Sequence, residues 1–171
     1  MITPWSRCSL GPQLTALAIT APTSNVWPAA NRAYYVPFTL HETVTVVKMF
    51  CYNGSVIAGT IYVSVYNSAL ASQFPAGSAL QAGTNQIQEF DTADTSLVAG
   101  KYYMAISLTS ISAELFSINE DDIIMTLAFL ESLGVSQEAS AAPLPNTATL
   151  ALPTGDPRLP YFGLSLRTLV T

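Results

Sequence analysis

The chain has 171 residues, half of them apolar and only 10% charged, with a net charge of −5. A soluble domain of ordinary composition is about 25% charged, so part of this surface has to be covered by something other than water: a membrane, a ligand or another subunit. The longest strongly apolar stretch, residues 123–130, is far shorter than the ~20 residues of a spanning helix, and six basic residues without a cluster do not make the positive surface that nucleic acid requires.

Residues 1–30 read as an extended arm punctuated by Pro4, Pro12, Pro22 and Pro28, with Trp5 and Trp27 outside any periodic segment. The apolar run at residues 14–21 follows Gly11, Pro12 and Gln13 and lacks the basic start and cleavage site of a secretion signal. The expectation is a protein kept in the cytoplasm until it is assembled. Two cysteines, Cys8 and Cys51, are too few for a disulfide-stapled secreted domain, and both are expected to be reduced packing residues.

Residues 31–131 read as a compact domain of strands. Residues 43–52 are β-branched or aromatic on both faces, which suits a strand buried on both sides. Asn53-Gly54 then predicts a hairpin turn, because both residues tolerate positive φ. In residues 60–66 the alternation is regular: Ile61, Val63 and Val65 on a core face, Tyr62, Ser64 and Tyr66 outward. Tyr102, Met104, Ile106 and Leu108 repeat the pattern, as do Ile123, Met125, Leu127 and Phe129. Turn signals recurring every 8–12 residues or so predict a β-sandwich or jelly roll, and the single candidate helix, residues 130–140, is short and weak.

Residues 132–171 form a second arm, broken by Pro143, Pro145, Pro153, Pro157 and Pro160. Its leucines, with Tyr161 and Phe162, are too many large apolar groups for a solvated linker. Residues 160–167 alternate like a strand, either closing the chain's own sheet or lying on a neighbour.

Catalytic signals are sparse. His41 is the only histidine and reads as an exposed residue at a strand entrance; no Gly-x-Ser-x-Gly elbow occurs. Asp121 and Asp122 point apart if extended, and Asp91 with Asp94 is the other acidic pair. Asn119-Glu120-Asp121-Asp122 offers hard oxygens to calcium but lacks the spaced pattern of a dedicated loop, so a solvated acidic turn is the better reading. No zinc spacing and no phosphate loop is present, and no cofactor is expected. The aromatics are the remaining signal. Tyr62 and Tyr66 share one strand face, and Trp5, Trp27, Tyr161 and Phe162 lie in the arms. Exposed aromatics serve protein interfaces or stack on sugar rings, and the scarcity of charge favours the interface.

Several stretches resemble small structural domains of tailed bacteriophages. They are Asn-Arg-Ala-Tyr-Tyr-Val-Pro-Phe at 31–38, Met-Phe-Cys-Tyr-Asn-Gly at 49–54, the strand at 59–66, Gln-Ala-Gly-Thr at 81–84, Gln-Ile-Gln-Glu-Phe-Asp at 86–91 and Leu-Val-Ala-Gly-Lys-Tyr-Tyr-Met-Ala at 97–105. The ending Pro-Tyr-Phe-Gly-Leu-Ser-Leu-Arg at 160–167 is also similar. The resemblance implies a jelly-roll-like sandwich in a virion, assembled in the host cytoplasm as a homo-oligomer, most simply a trimer. Its partner would be the major capsid protein or another virion component. A tail-borne module that binds a host-surface glycan is the alternative.

Overall fold

The computed structural model describes residues 23–118, 134–154 and 159–168. The described chain is all-β: eleven strands, every pairing antiparallel, and no helix among the described residues. The strands are β1 (Thr23–Val26), β2 (Ala33–Leu40), β3 (Val44–Tyr52), β4 (Thr60–Asn67), β5 (Gly77–Leu80), β6 (Ile87–Leu97), β7 (Gly100–Leu108), β8 (Glu114–Ile118), β9 (Ser136–Glu138), β10 (Leu159–Pro160) and β11 (Phe162–Thr168). One layer is the five-stranded sheet β5-β4-β7-β2-β9. The other is made of two three-stranded sheets, β11-β3-β6 and β1-β8-β10. These two are tied at Tyr161, whose N–H donates to the carbonyl of Phe116 while its own carbonyl accepts from Tyr52 N–H.

The main core lies between the layers. Ile61, Val63 and Val65 of β4 and Met104, Ile106 and Leu108 of β7 meet Val44, Val46, Met49 and Cys51 of β3, Phe90 of β6 and Leu164 of β11 in one buried cluster. Each fully buried aliphatic side chain contributes about 1.5–3 kcal/mol. The alternation in β4 and β7 therefore predicts the inward face correctly.

Its outward face is not solvent. Tyr66 is fully buried and Tyr62 half-buried in a second cluster with Ala33, Tyr35, Ala105, Ala141, Leu144 and Ala148. The described part of the proline-rich segment, residues 134–154, lies across the five-stranded sheet. The Tyr66 hydroxyl donates to the carbonyl of Pro145, and the Tyr35 hydroxyl donates to Glu138 at 2.6 Å. Prolines deny this segment a regular ladder, but small residues on the sheet (Ala33, Ala105) let it approach closely.

Four further expectations change. Trp27, assigned to the arm, sits in the main core edge-to-face with Tyr34 at 5.4 Å, because β1 pairs with β8 and carries the chain inward. β3 is buried on its second face only at Phe50; Thr45, Val47, Lys48 and Tyr52 stay partly exposed. Asn53-Gly54 closes no hairpin, since β3 pairs with β6 and β11 rather than β4. Residues 136–138 of the candidate helix are a strand; Gly134, at φ +71°, takes a conformation that no right-handed helix admits.

The strand read at 160–167 is β11, and its partner is the chain's own β3. At the other edge of that sheet, Thr92, Ala93 and Asp94 of β6 stand opposite Val47 alone, between the pairs Val46↔Thr95 and Lys48↔Asp91. The surplus is a bulge, and Asp94 within it has φ +42°. The Ile123-to-Phe129 alternation lies outside the described residues.

Candidate interaction surfaces

Of the six aromatic residues singled out, the structure buries three: Trp27, Tyr66 and Phe162. Tyr62 is half-buried beside the second cluster, and Trp5 lies outside the described residues. Tyr161 is exposed, at 38%. A shared face for Tyr62 and Tyr66 exists, but the 134–154 segment occupies it.

A second aromatic row lies on the opposite layer, with Phe50 buried, Tyr52 and Phe116 half-buried and only Tyr161 exposed. Side chains directly across an antiparallel pair share a face, and the register sets Tyr52 beside Ile87, Phe50 beside Gly163 and Phe116 beside Ser24. Tyr52 packs edge-to-face on Phe116 at 4.5 Å, and Tyr161 stands 6.5 Å from both Tyr52 and Phe50. Phe50, Tyr52, Phe116 and Tyr161 thus form a continuous row on the outer face of β3, β8 and the β10–β11 junction. Farther along the same face, Lys48 pairs with Glu89 at 2.6 Å and Asp91 at 3.7 Å, and these carboxylates raise the Lys48 pKa. One half of the face is aromatic and the other charged. Sequence reasoning missed Phe50, Tyr52 and Phe116; the signal was present in residues 43–52, where one of the two apolar faces had no core left to enter.

Beside this row a polar network fixes the loop after β3. Asn53, fully buried, donates its amide N–H groups to the carbonyl of Ala82 at 2.7 Å and to Gln88 Oε1 at 2.9 Å. Gln81 Nε2 donates to Asn53 Oδ1 at 3.1 Å and to the carbonyl of Glu114 at 2.7 Å. The Ser24 and Ser55 hydroxyls both donate to Glu114 Oε2, at 2.6 and 2.5 Å, and hold that carboxyl below its ordinary pKa. Gly54 is required here: a Cβ on it would lie 2.2 Å from Ser24 Oγ and 2.6 Å from Glu114 Cβ.

The groups weighed for chemistry do not converge. His41 is exposed between β2 and β3, and Asp91 is tied to Lys48. Cys51 is a free thiol in the main core, where burial pushes its pKa up to about 12. Cys8 and Glu120-Asp121-Asp122 lie outside the described residues, and among the described ones no three His, Cys, Asp or Glu side chains gather as a metal site. No family model, curated protein or solved structure matches the chain.

Proposed function

We propose that this chain is a non-enzymatic structural subunit of a bacteriophage virion, of the capsid decoration or cement type, which self-associates and docks on the particle. The observation that carries the reading is the row of Tyr52, Phe116 and Tyr161, partly or fully exposed on an outer sheet face and packed about the buried Phe50. An outer face of an antiparallel sandwich is ordinarily polar, and aromatics grouped on a rigid sheet are what protein interfaces favour. Connectivity supports the jelly-roll-like part of the reading. The connections β2 to β3, β5 to β6 and β6 to β7 each change layers, while β2 lies beside β7 and β3 beside β6. Many weak copies acting together on one particle need little energy each.

Cryo-electron microscopy of intact particles tests this. The expected result is repeated sandwich-shaped density on the head with the Tyr161 face against a neighbour. Absence of the chain from purified particles would sink the proposal. The second reading, a tail-borne module that stacks host-surface sugars, uses the same row and draws on the exposure of the Tyr161 ring. A few copies at the tail, with glycan binding lost in Tyr161→Ala, would favour it.

A further inference from the structure

An asparagine side-chain amide is open to attack by the backbone nitrogen of the residue that follows it, and the attack is easiest where that residue has no side chain. Of the asparagines in this chain only Asn53 is followed by glycine; the others precede Val26, Arg32, Ser68, Gln86, Glu120 and Thr147. In an unfolded chain Asn53-Gly54 is therefore the most reactive asparagine site.

The fold closes the route at each atom it needs. The attacking nitrogen, Gly54 N, is buried and donates its hydrogen to the Glu114 carbonyl at 2.8 Å. The amide it would attack is fixed: Asn53 Nδ2 donates to the Ala82 carbonyl and to Gln88 Oε1, and Oδ1 accepts from Gln81 Nε2. The backbone is held by the Asn53 N–H on the Gln86 carbonyl at 2.9 Å and by the bridge between Asn53 and Leu115. Asn53 is fully buried, which keeps out both the base that must take the proton from Gly54 and the water that must complete the reaction. The turn at Asn67-Ser68 is the contrast: Asn67 is half-buried and Ser68 exposed.

We infer that Asn53 is a modification site that the native state hides and the unfolded state opens. In an unfolded chain Gly54 N gives its proton to solvent and bonds to Asn53 Cγ, and the side-chain nitrogen leaves as ammonia. Water then opens the resulting ring at one of its two carbonyls, leaving aspartate or isoaspartate at position 53.

Neither product rebuilds the network. An aspartate sets a carboxylate against the Ala82 carbonyl and Gln88 Oε1, both of which accept hydrogens from Asn53, and an unpaired buried charge is costly. Isoaspartate also inserts a methylene into the backbone, so the bridge to Leu115 and the bond from Gly54 to Glu114 lose their common register. Unfolding thus becomes irreversible with time spent unfolded, through the chemistry of one residue.

The test holds the full chain in mildly alkaline buffer with and without guanidinium chloride, and follows the amide-to-acid mass change at each asparagine by fragmentation mass spectrometry. In guanidinium, Asn53 is expected to convert ahead of Asn67 and every other asparagine. In buffer it should lose that lead and convert about a hundredfold more slowly than in guanidinium, because a buried network opens rarely. The fraction that refolds on dilution should fall in step with conversion of Asn53. Gln88→Ala, which removes an acceptor from Asn53 Nδ2, should speed conversion in buffer and leave the rate in guanidinium unchanged. Conversion in buffer as fast as in guanidinium, or conversion in guanidinium no faster than at Asn67, overturns the inference. Converted chains that refold and melt like the parent overturn its consequence, and an unaltered native rate in folded Gln88→Ala overturns the network as the protecting element. If Gln88→Ala fails to fold, the wild-type comparison decides alone.

Discussion

The ring of Phe50 lies against the backbone of its cross-strand neighbour Gly163, so near that a methyl group at Gly163 would come within 2.7 Å of Phe50 Cζ. The aromatic row depends on that vacancy: Phe50 occupies the space above β11 that any side chain at 163 would take, and Tyr161 packs against its other side. Gly163→Ala should therefore overpack the face and destabilise the fold by about 1–3 kcal/mol. Urea unfolding checks this; an unchanged midpoint would mean that the ring swings aside freely.

Asn53 is the centre of a network in which each amide needs the next. Replacing it with Ala removes an acceptor from Gln81 and a donor from Gln88 and the Ala82 carbonyl. Each buried group left unsatisfied costs about 1–3 kcal/mol, so Asn53→Ala should lower the melting temperature well beyond the effect of an exposed substitution such as Thr84→Ala. Equal melting of the two variants would show that solvent replaces the network.

Cys51 should be inert in the native protein. Its thiol is buried and its pKa is pushed up to about 12, which leaves almost no thiolate at neutral pH. Alkylation of Cys51, followed by peptide mass, should be slow in buffer and rapid in denaturant. Rapid labelling under native conditions would mean that β3 opens locally.

Glu114 should give the fold an acid-sensitive step. Its carboxyl is held below the ordinary value of 4.5 by the hydroxyls of Ser24 and Ser55. A depressed pKa in the folded state contributes stability that is present above the unfolded value and is lost as pH falls through the folded one. Between about pH 6 and about pH 3 the urea midpoint of the wild type should fall more steeply than that of Glu114→Gln. Parallel curves would remove Glu114 from the account.

Much of this fold is legible in the sequence, and the illegible parts share a cause. Ile61, Val63 and Val65 announce a strand with a core on one side, because period-two alternation is a local property. What covers Tyr62 and Tyr66 is not local: Leu144 and Ala148 arrive from a segment some eighty residues later that has no periodicity to read. Asn53-Gly54 fits a tight turn equally well, yet the glycine admits Ser24 and Glu114 and the asparagine feeds a buried network. The aromatic row was hidden for a similar reason. Tyr52 and Phe116 come from β3 and β8 and Tyr161 from the junction of β10 and β11, and only the register of the sheets brings their rings together.

The bulge in β6 has a consequence for how the protein behaves when crowded. A flat edge strand with regularly spaced free backbone groups is a template on which further strands add without limit. In β6 the ladder is interrupted at Thr92, Ala93 and Asp94, and the left-handed backbone at Asp94 bends the strand out of line. Glu89 and Asp91 project into solvent on the same strand, so an incoming edge would meet both a kink and two carboxylates. The bulge and the carboxylates make β6 a poor template for an added strand, which counts against edge-to-edge growth in a chain so poor in charge.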